Sequence, residues 1–235
     1  MRDRPPGEDF WDFFRTFVAH KLDYRASSFQ KIFEYLDGFE TPITIVETGC
    51  VRLLANWGGD GQSTILFDHY VRWRGGGSRV YSVDISPEAV ALCKTLVSDA
   101  VDLTVQDSVP FLDALTVSLL DARTQVQLFY LDSFDIDWTY WMPSAVHHLK
   151  ELLSAWRCIT PATLVVVDDC PNIDETGGHG IYPRPQIGGK GRLIAEFAQQ
   201  TGAQLLFSKY QAGWIGFKGG GNSTVTVPAW ATSSP

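Results

Sequence analysis

Between Thr44 and Lys218 the chain alternates short β-branched runs with segments of helical periodicity, and this alternation constrains the fold more than any other feature. Runs such as ITIVET, RVYSVDIS and LVVVDD are predicted strands, and each is followed by a helical segment. Strands that are joined by helices form right-handed crossovers and therefore a mostly parallel sheet with helices on both faces. The sequence predicts an α/β, doubly wound fold.

The final two predicted strands, AQLLFSKY and AGWIGFK, break this pattern because they follow one another closely. A parallel pair needs a crossover of a dozen or more residues, so these two strands must be antiparallel. The prediction is therefore a seven-stranded sheet with a reversed last strand. It occupies residues 41–218, after an N-terminal helical extension over 1–40 and before a tail at 219–235. The tail is rich in Gly, Ser, Thr and Pro and is predicted to be disordered.

The composition limits the partners and the compartment. A formal net charge of −8 gives no broad positive surface for nucleic acid. The sequence has no apolar run long enough to span a bilayer and no secretory signal. Its four cysteines match no zinc spacing, which favours reduced thiols and a cytoplasmic location. We expect a small-molecule partner rather than nucleic acid or membrane, and the aromatic N-terminal helices suggest a homodimer.

The connection after the first predicted strand is long, polar and rich in glycine. In an open α/β sheet, ligands bind beyond the carboxyl ends of the strands. Gly49 and Gly61 would let the backbone approach a ligand closely. Ser63 lies at the start of the next helix, where hydroxyl and N–H groups favour an anionic group. The connection is thus a candidate ligand-binding loop.

Acidic residues end four successive predicted strands: Glu47, Asp84, Asp107 and Asp132. Asp84 stands near the separation from the glycine loop at which an acid binds ribose hydroxyls. Asp107 and Ser108 are placed to read an adenine edge. Each acid alone could equally be a helix cap or a turn residue, but four in series are harder to explain in that way.

These motifs resemble those of the class I S-adenosylmethionine-dependent methyltransferases over residues 43–218. The resemblance implies a Rossmann-like methyltransferase fold and S-adenosylmethionine as cofactor. It assigns the methionine part to Gly49 and Gly61 and the ribose to Asp84. The remaining cofactor positions that it implies are Glu47 as the acid of the first motif, Ser63 at the carboxylate, Asp107 and Ser108 at the adenine, and Asp132 near the sulfonium or amino group.

A metal is a second expectation. Asp132 ends the fourth strand, and Asp168 and Asp169 end the fifth, so the three carboxylates should converge and suit a hard divalent cation. The pattern resembles the catechol O-methyltransferase type, which implies Mg²⁺. Asp169 stands where that type has an amide, for which Asn172 is a nearby substitute. The alternative is that Asp132 and Asp168 orient cofactor and substrate directly.

The same type has a lysine base three residues after the first acid, where this chain has Asp135. His179 and Lys190 are therefore the candidate bases on chemical grounds alone. Asp132 is the third candidate catalytic residue.

The predicted activity is O-methylation of a small hydroxylated acceptor. Two alternatives remain at this point. A nicotinamide-dependent oxidoreductase would share the fold, but Thr64 stands where the third glycine of G-x-G-x-x-G should be. The second alternative is a non-catalytic nucleotide-binding protein on the same fold, because a fold alone does not imply activity. The insertion CVRLLANWGGD in the first loop departs from the family pattern and could cover the cofactor or line the substrate pocket.

Overall fold

The computed structural model of the protein describes residues 9–171 and 187–218. Its strands form a single sheet in the order β3-β2-β1-β4-β5-β7-β6. The first five are parallel, and β7 runs antiparallel to both β5 and β6. The strands are β1 Thr44–Thr48, β2 Arg79–Asp84, β3 Val101–Val105, β4 Leu128–Leu131, β5 Leu164–Val167, β6 Gln204–Ser208 and β7 Ala212–Ile215. The predicted seven-stranded sheet with a reversed last strand is confirmed.

Helices fill the connections, and local signals in the sequence set their ends. The helix α5 begins at Pro87 behind Ser86, whose side chain accepts a hydrogen bond from Ala89 N, and α8 ends at Gly202 in the left-handed conformation. The α-helices in the described ranges are α1 Phe10–Phe13, α2 Ala26–Leu36, α3 Trp57–Asp60, α4 Ser63–Arg74, α5 Pro87–Lys94, α6 Ser108–Asp121, α7 Met142–Ala155 and α8 Arg192–Thr201. None of them is long and apolar enough to cross a membrane.

The sheet is buried on both faces because successive strand residues point to opposite sides. Ile45 of β1 packs into a core with α2, α4 and α5, whereas its neighbour Val46 packs into a second core with α6, α7 and α8. Residues from β4 and β5 divide between the two cores in the same alternating way. The carboxyl ends of the parallel strands are therefore left as the edge where a ligand can enter.

The N-terminal segment is more irregular than its aromatic periodicity predicts. After α1 the chain forms a π-helical turn over Phe14–Val18 and two short 3-10 turns before α2 begins. The ring of Phe10 lies 5.0 Å from Tyr70 of α4 and 4.6 Å from Phe33 of α2. The aromatic residues thus pack inside their own chain as a flank on α4. The domain boundary at residue 40 stays a prediction, and the tail at 219–235 lies outside the described residues.

Candidate active site

A cavity of about 430 Å³ lies beyond the carboxyl ends of β1, β2, β4 and β5. Strand order reverses between β1 and β4, and this switch point is where open α/β sheets bind their ligands. The residues that line the cavity are Arg25, Gly49, Cys50, Val51, Arg52, Gly59, Asp60, Ser63, Asp84, Ile85, Ser86, Asp132, Ser133, Phe134, Asp135 and Asp169. A larger space of about 570 Å³ against α8 and β6 contains none of the predicted site residues, so volume alone does not locate the site.

Gly49 is required by the close approach of two strand ends. Its φ is +82°, and a Cβ added there would lie 2.5 Å from the backbone oxygen of Asp132. The loop after β1 therefore packs directly on the end of β4. The close approach of Gly49 to a ligand stays a prediction. Gly61 ends α3 with a positive φ but does not line the cavity.

The start of α4 is left open toward the cavity. Gln62, the residue before the helix, does not cap it, because its side chain donates instead to the carbonyl oxygen of Leu53 at 2.7 Å. The first N–H groups of a helix have no partner within the helix, and the helix dipole adds partial positive charge there. Ser63, the first residue of α4, lines the cavity. This terminus suits a carboxylate.

Glu47 lies behind Ser63 rather than in the cavity. Its carboxylate is fully buried and accepts hydrogen bonds from Ser63 Oγ and Ser82 Oγ, both at 2.6 Å. The predicted direct contact with a cofactor is not what this geometry provides. Glu47 instead fixes the hydroxyl of a residue that does line the cavity.

Asp84 is held rigidly at the cavity wall. One carboxylate oxygen accepts from Cys50 N at 3.1 Å and the other from Ser86 N at 2.8 Å. Each oxygen retains a lone pair, because a carboxylate offers about four acceptor sites. The side chain can thus accept further hydrogen bonds from the cavity, and the ribose contact of Asp84 stays a prediction.

Asp107 and Ser108 have other partners. Asp107 is exposed and caps α6 by accepting from Val109 N at 2.9 Å, so the helix-cap alternative applies to it. Ser108 is buried, and its Oγ lies 2.9 Å from His147 Nε2. Neither residue lines the described cavity. The predicted adenine contact therefore has no support in this cavity, whose wall includes Ile85 and Ser86 after β2.

The carboxylates of Asp132, Asp168 and Asp169 converge as predicted, but two basic side chains lie among them. Lys190 Nζ contacts Asp132 Oδ1 and lies 3.0 Å from Asp169 Oδ2. Arg25 Nε lies 2.8 Å from Asp168 Oδ2, and its Nη2 lies 3.2 Å from Asp169 Oδ1. Arg25, which enters the site from the N-terminal segment, was not among the residues predicted from the sequence.

These contacts use the oxygens that a metal would need. In the described part of the chain, no group of three or more His, Cys, Asp and Glu side chains is arranged to hold a metal ion. Asp168 is fully buried, and its carboxylate also accepts from Tyr130 Oη at 2.7 Å. The predicted metal ligands therefore do not fit a divalent cation, and Asn172 lies outside the described residues.

Lys190 does not have the properties of the predicted general base. Burial alone would lower the pKa of its ammonium group, but attraction to Asp132 and Asp169 outweighs burial and raises that pKa well above its usual range. Lys190 therefore keeps its proton at neutral pH. The other predicted base, His179, lies outside the described residues.

The inserted loop after β1 forms part of the cavity wall. Cys50, Val51 and Arg52 line the cavity, and Arg52 reaches across its mouth to Asp135 in the loop after β4. The Nη1 atom of Arg52 lies 2.6 Å from Asp135 Oδ2, and both side chains are substantially exposed. Asp135, which stands where the catechol O-methyltransferase type has its lysine base, thus forms an ion pair at the rim of the cavity.

No protein-family model matches the chain, and no curated protein matches it. Solved structures do match. The MycE methyltransferase of the mycinamycin biosynthetic pathway, in complex with Mg and SAH, is 14% identical with a TM-score of 0.57, over 96% of this chain and 58% of that one. Cofactor-bound Rv0187 from MTB is 17% identical with a TM-score of 0.52, over 92% and 99%.

The chain has the class I S-adenosylmethionine-dependent methyltransferase fold. The evidence is the strand order with its reversed β7 together with these two structural matches. The chain spans little more than half the length of MycE. At these identities the likeness establishes the fold alone, so activity and substrate are matters for proposal.

A polar network beside the cavity was not predicted from the sequence. Glu151 of α7 is fully buried and accepts from Ser133 Oγ at 2.6 Å, and Ser133 lines the cavity. The Nε2 atom of His147 lies 3.6 Å from Glu151 Oε1. Burial lowers the pKa of the neighbouring His148 to about 4, so that ring is neutral. The i, i+4 spacing of His147 and Glu151 was the available signal.

Glu47→Gln is expected to change how stability depends on pH. Burial raises the pKa of Glu47 from 4.5 to about 7, so folding takes up a proton between those pH values. The contribution of Glu47 to the free energy of unfolding therefore falls by about 3 kcal/mol as pH rises from about 4.5 to 7. Glutamine does not titrate, so this fall should disappear in the variant.

Urea denaturation at pH 5 and pH 8 measures this difference. The free energy of unfolding of Glu47→Gln, relative to the original protein, should be higher at pH 8 than at pH 5. Glu40→Gln, at an exposed position, is the control and should show no such change. An unchanged pH dependence in Glu47→Gln would contradict the raised pKa.

Proposed function

We propose that the protein transfers the methyl group of S-adenosylmethionine to a small hydroxylated acceptor. The observation that carries the proposal is the fixed carboxylate of Asp84 beside the open N-terminus of α4, both in one cavity at the switch point of a methyltransferase fold. One site thus offers a partner for a ribose diol and a partner for an amino-acid carboxylate.

The residues fit this cofactor at three further points. The close approach of Gly49 to Asp132 brings the loop after β1 onto the end of β4, so that both residues line the same cavity. Ser63 lines the cavity with the first turn of α4, and its hydroxyl is held by Glu47. Asp132 lines the cavity at the end of β4, where a carboxylate attracts an ammonium or sulfonium group. The cofactor supplies a methyl group that is already activated by its positive sulfur, so the chain has mainly to position the acceptor and exclude water.

Asp132 is the residue we propose to take the proton from the acceptor. Burial and the carboxylates of Asp168 and Asp169 raise the pKa of Asp132, while Lys190 opposes that shift. A carboxylate with a raised pKa is a better proton acceptor near neutral pH than an ordinary aspartate. No divalent cation takes part in this proposal, because the oxygens it needs are engaged by Arg25 and Lys190.

The acceptor is proposed to be flat and at least partly apolar. Phe134 lines the cavity, and Trp138 and Tyr140 are exposed on the same loop between β4 and α7. Aromatic rings that line a pocket favour flat ligands by stacking and burial. Trp57 of α3, by contrast, is buried in the core.

A cytoplasmic location is proposed as well. All four cysteines are free and buried, which is the usual state in a reducing compartment. The aromatic residues that suggested a homodimer pack within their own chain, so we do not carry that expectation further.

Calorimetric titration of the full chain with S-adenosylmethionine, S-adenosylhomocysteine and NAD⁺ tests the cofactor. The first two should bind in a 1:1 ratio and raise the melting temperature, whereas NAD⁺ should do neither. Formation of S-adenosylhomocysteine in the presence of phenols, catechols and sugars then tests the reaction. Binding of NAD⁺ alone would favour the oxidoreductase alternative. Binding of S-adenosylmethionine without transfer to any acceptor would favour a non-catalytic protein.

A further inference from the structure

We infer that Lys190 and Arg25 take the place of a divalent cation in this site, so that the protein neither needs nor binds a metal there. The proposal concerns the carboxylate cluster formed by Asp132, Asp168 and Asp169. The expected effect of a chelator on activity rests on the proposed methyl transfer, whereas the expected metal binding does not.

Lys190 lies between two carboxylates of the cluster. Its ammonium group bridges Asp132 and Asp169, which end two neighbouring strands and both line the cavity. A Mg²⁺ ion shared by these two carboxylates would have to lie between the same oxygens, at about 2.0–2.1 Å from each. Since Lys190 is only 1% exposed, an ion there would displace its ammonium group from the carboxylates that stabilise its buried charge. The ammonium and a metal ion therefore exclude each other.

Both carboxylate oxygens of Asp168 are fully engaged in hydrogen bonds. Its Oδ1 accepts from Asp169 N at 2.7 Å and lies 3.0 Å from Arg25 Nε. Its Oδ2 accepts from Arg25 Nε at 2.8 Å and from Tyr130 Oη at 2.7 Å. Together with its complete burial, these bonds leave Asp168 no free oxygen for an ion at the cavity.

The backbone fixes Lys190 in this position. Gly189 has a φ of +57°, and a Cβ there would lie 2.0 Å from the backbone oxygen of Asp169. The backbone N–H of Lys190 donates to that same oxygen at 3.2 Å. The segment that carries the lysine is therefore packed directly onto the residues after β5. The bridge is built into the chain path rather than reached by a long surface side chain.

Lys190 does not line the cavity, so we describe it as a positioning residue. It holds the carboxylates of Asp132 and Asp169 side by side, where they would otherwise repel each other. Arg25 does line the cavity and neutralises Asp168 from the opposite side. Two fixed positive charges thus balance most of the charge of three carboxylates without a metal.

The test is titration of the full chain with Mn²⁺, followed by calorimetry and by the electron paramagnetic resonance signal of free Mn²⁺. We expect no stoichiometric binding to the original protein and no effect of chelator on its melting temperature or methyl transfer. Lys190→Met should leave Asp132 and Asp169 as a two-carboxylate site that binds one Mn²⁺ with a dissociation constant below about 1 mM. Lys190→Arg keeps the charge and should bind none.

Stoichiometric Mn²⁺ binding by the original protein would overturn the inference, and this arm decides the matter even if Lys190→Met fails to fold. A folded Lys190→Met variant that binds no Mn²⁺ would also overturn it, because the lysine would then not occupy a site of metal type. If the original protein binds neither Mn²⁺ nor S-adenosylmethionine, the proposed function fails while the inference stands.

Discussion

Arg25→Met is expected to lower the free energy of unfolding by about 3–5 kcal/mol, the cost of removing one partner from a buried ion pair. Asp168 has no exposed surface, and Arg25 contacts it through Nε at 2.8 Å. Methionine keeps much of the side-chain volume but leaves the Asp168 carboxylate without its cation. The variant also loses the bond from Arg25 Nη1 to Gly58 O at 3.1 Å. Urea denaturation at pH 7 measures the loss.

Arg79→Met is the matched control, because it removes an arginine whose partner Asp102 lies at 3.1 Å with both side chains about half exposed. Exposed pairs contribute little, so the expected loss is below about 1 kcal/mol. Arg25→Lys should fall between the two, since lysine lacks the planar group that lies 4.5 Å from the Tyr210 ring. Equal losses in Arg25→Met and Arg79→Met would mean that Arg25 and Asp168 are not a buried ion pair.

The sheet could be predicted because its signals are local. The segment ITIVET is a short β-branched run and LVVV is an apolar one, as expected of parallel strands buried on both faces. Ser86 and Pro87 together define the start of α5. The close spacing of the last two strands was sufficient to give the reversed β7, since chain length alone excludes a parallel pair.

The direction in which a strand-end carboxylate points could not be read from the sequence. Asp84 is the last residue of β2 and lines the cavity, whereas Glu47 lies one residue before the end of β1 and is buried with Ser63 and Ser82. Neighbouring strand positions face opposite sides, so a difference of one residue in where a strand ends reverses the outcome. Asp107 illustrates a related ambiguity, because capping residues and ligand-binding residues use the same side chain at the same place.

The charges around Asp132 could not be predicted because they arrive from distant parts of the chain. Arg25 and Asp168 are 143 positions apart and meet only through packing of the N-terminal segment. Lys190 was recognised as a functional candidate by residue type. Two carboxylates hold it and raise its pKa, which disfavours the predicted role of a base.

Asp84→Ala is expected to weaken binding of S-adenosylmethionine by about 100-fold or more. Hydrogen bonds to a charged group contribute about 1.5–3 kcal/mol each, and a ribose diol would donate two of them to this carboxylate. Calorimetric titration measures the change. Asp102→Asn is the control, because it removes a carboxylate from the neighbouring strand β3, outside the cavity lining, and should leave the affinity unchanged.

A loss of affinity in Asp84→Ala has two possible sources, because Asp84 also accepts from Cys50 N and Ser86 N and so shapes the loop. A ligand that lacks one ribose hydroxyl separates them. If Asp84 binds the diol, removing the 2′-hydroxyl from S-adenosylhomocysteine should weaken binding to the original protein by about 10-fold or more and to Asp84→Ala by little. If both proteins lose affinity equally, the carboxylate acts only on the loop, and the ribose must be recognised by another residue of the cavity.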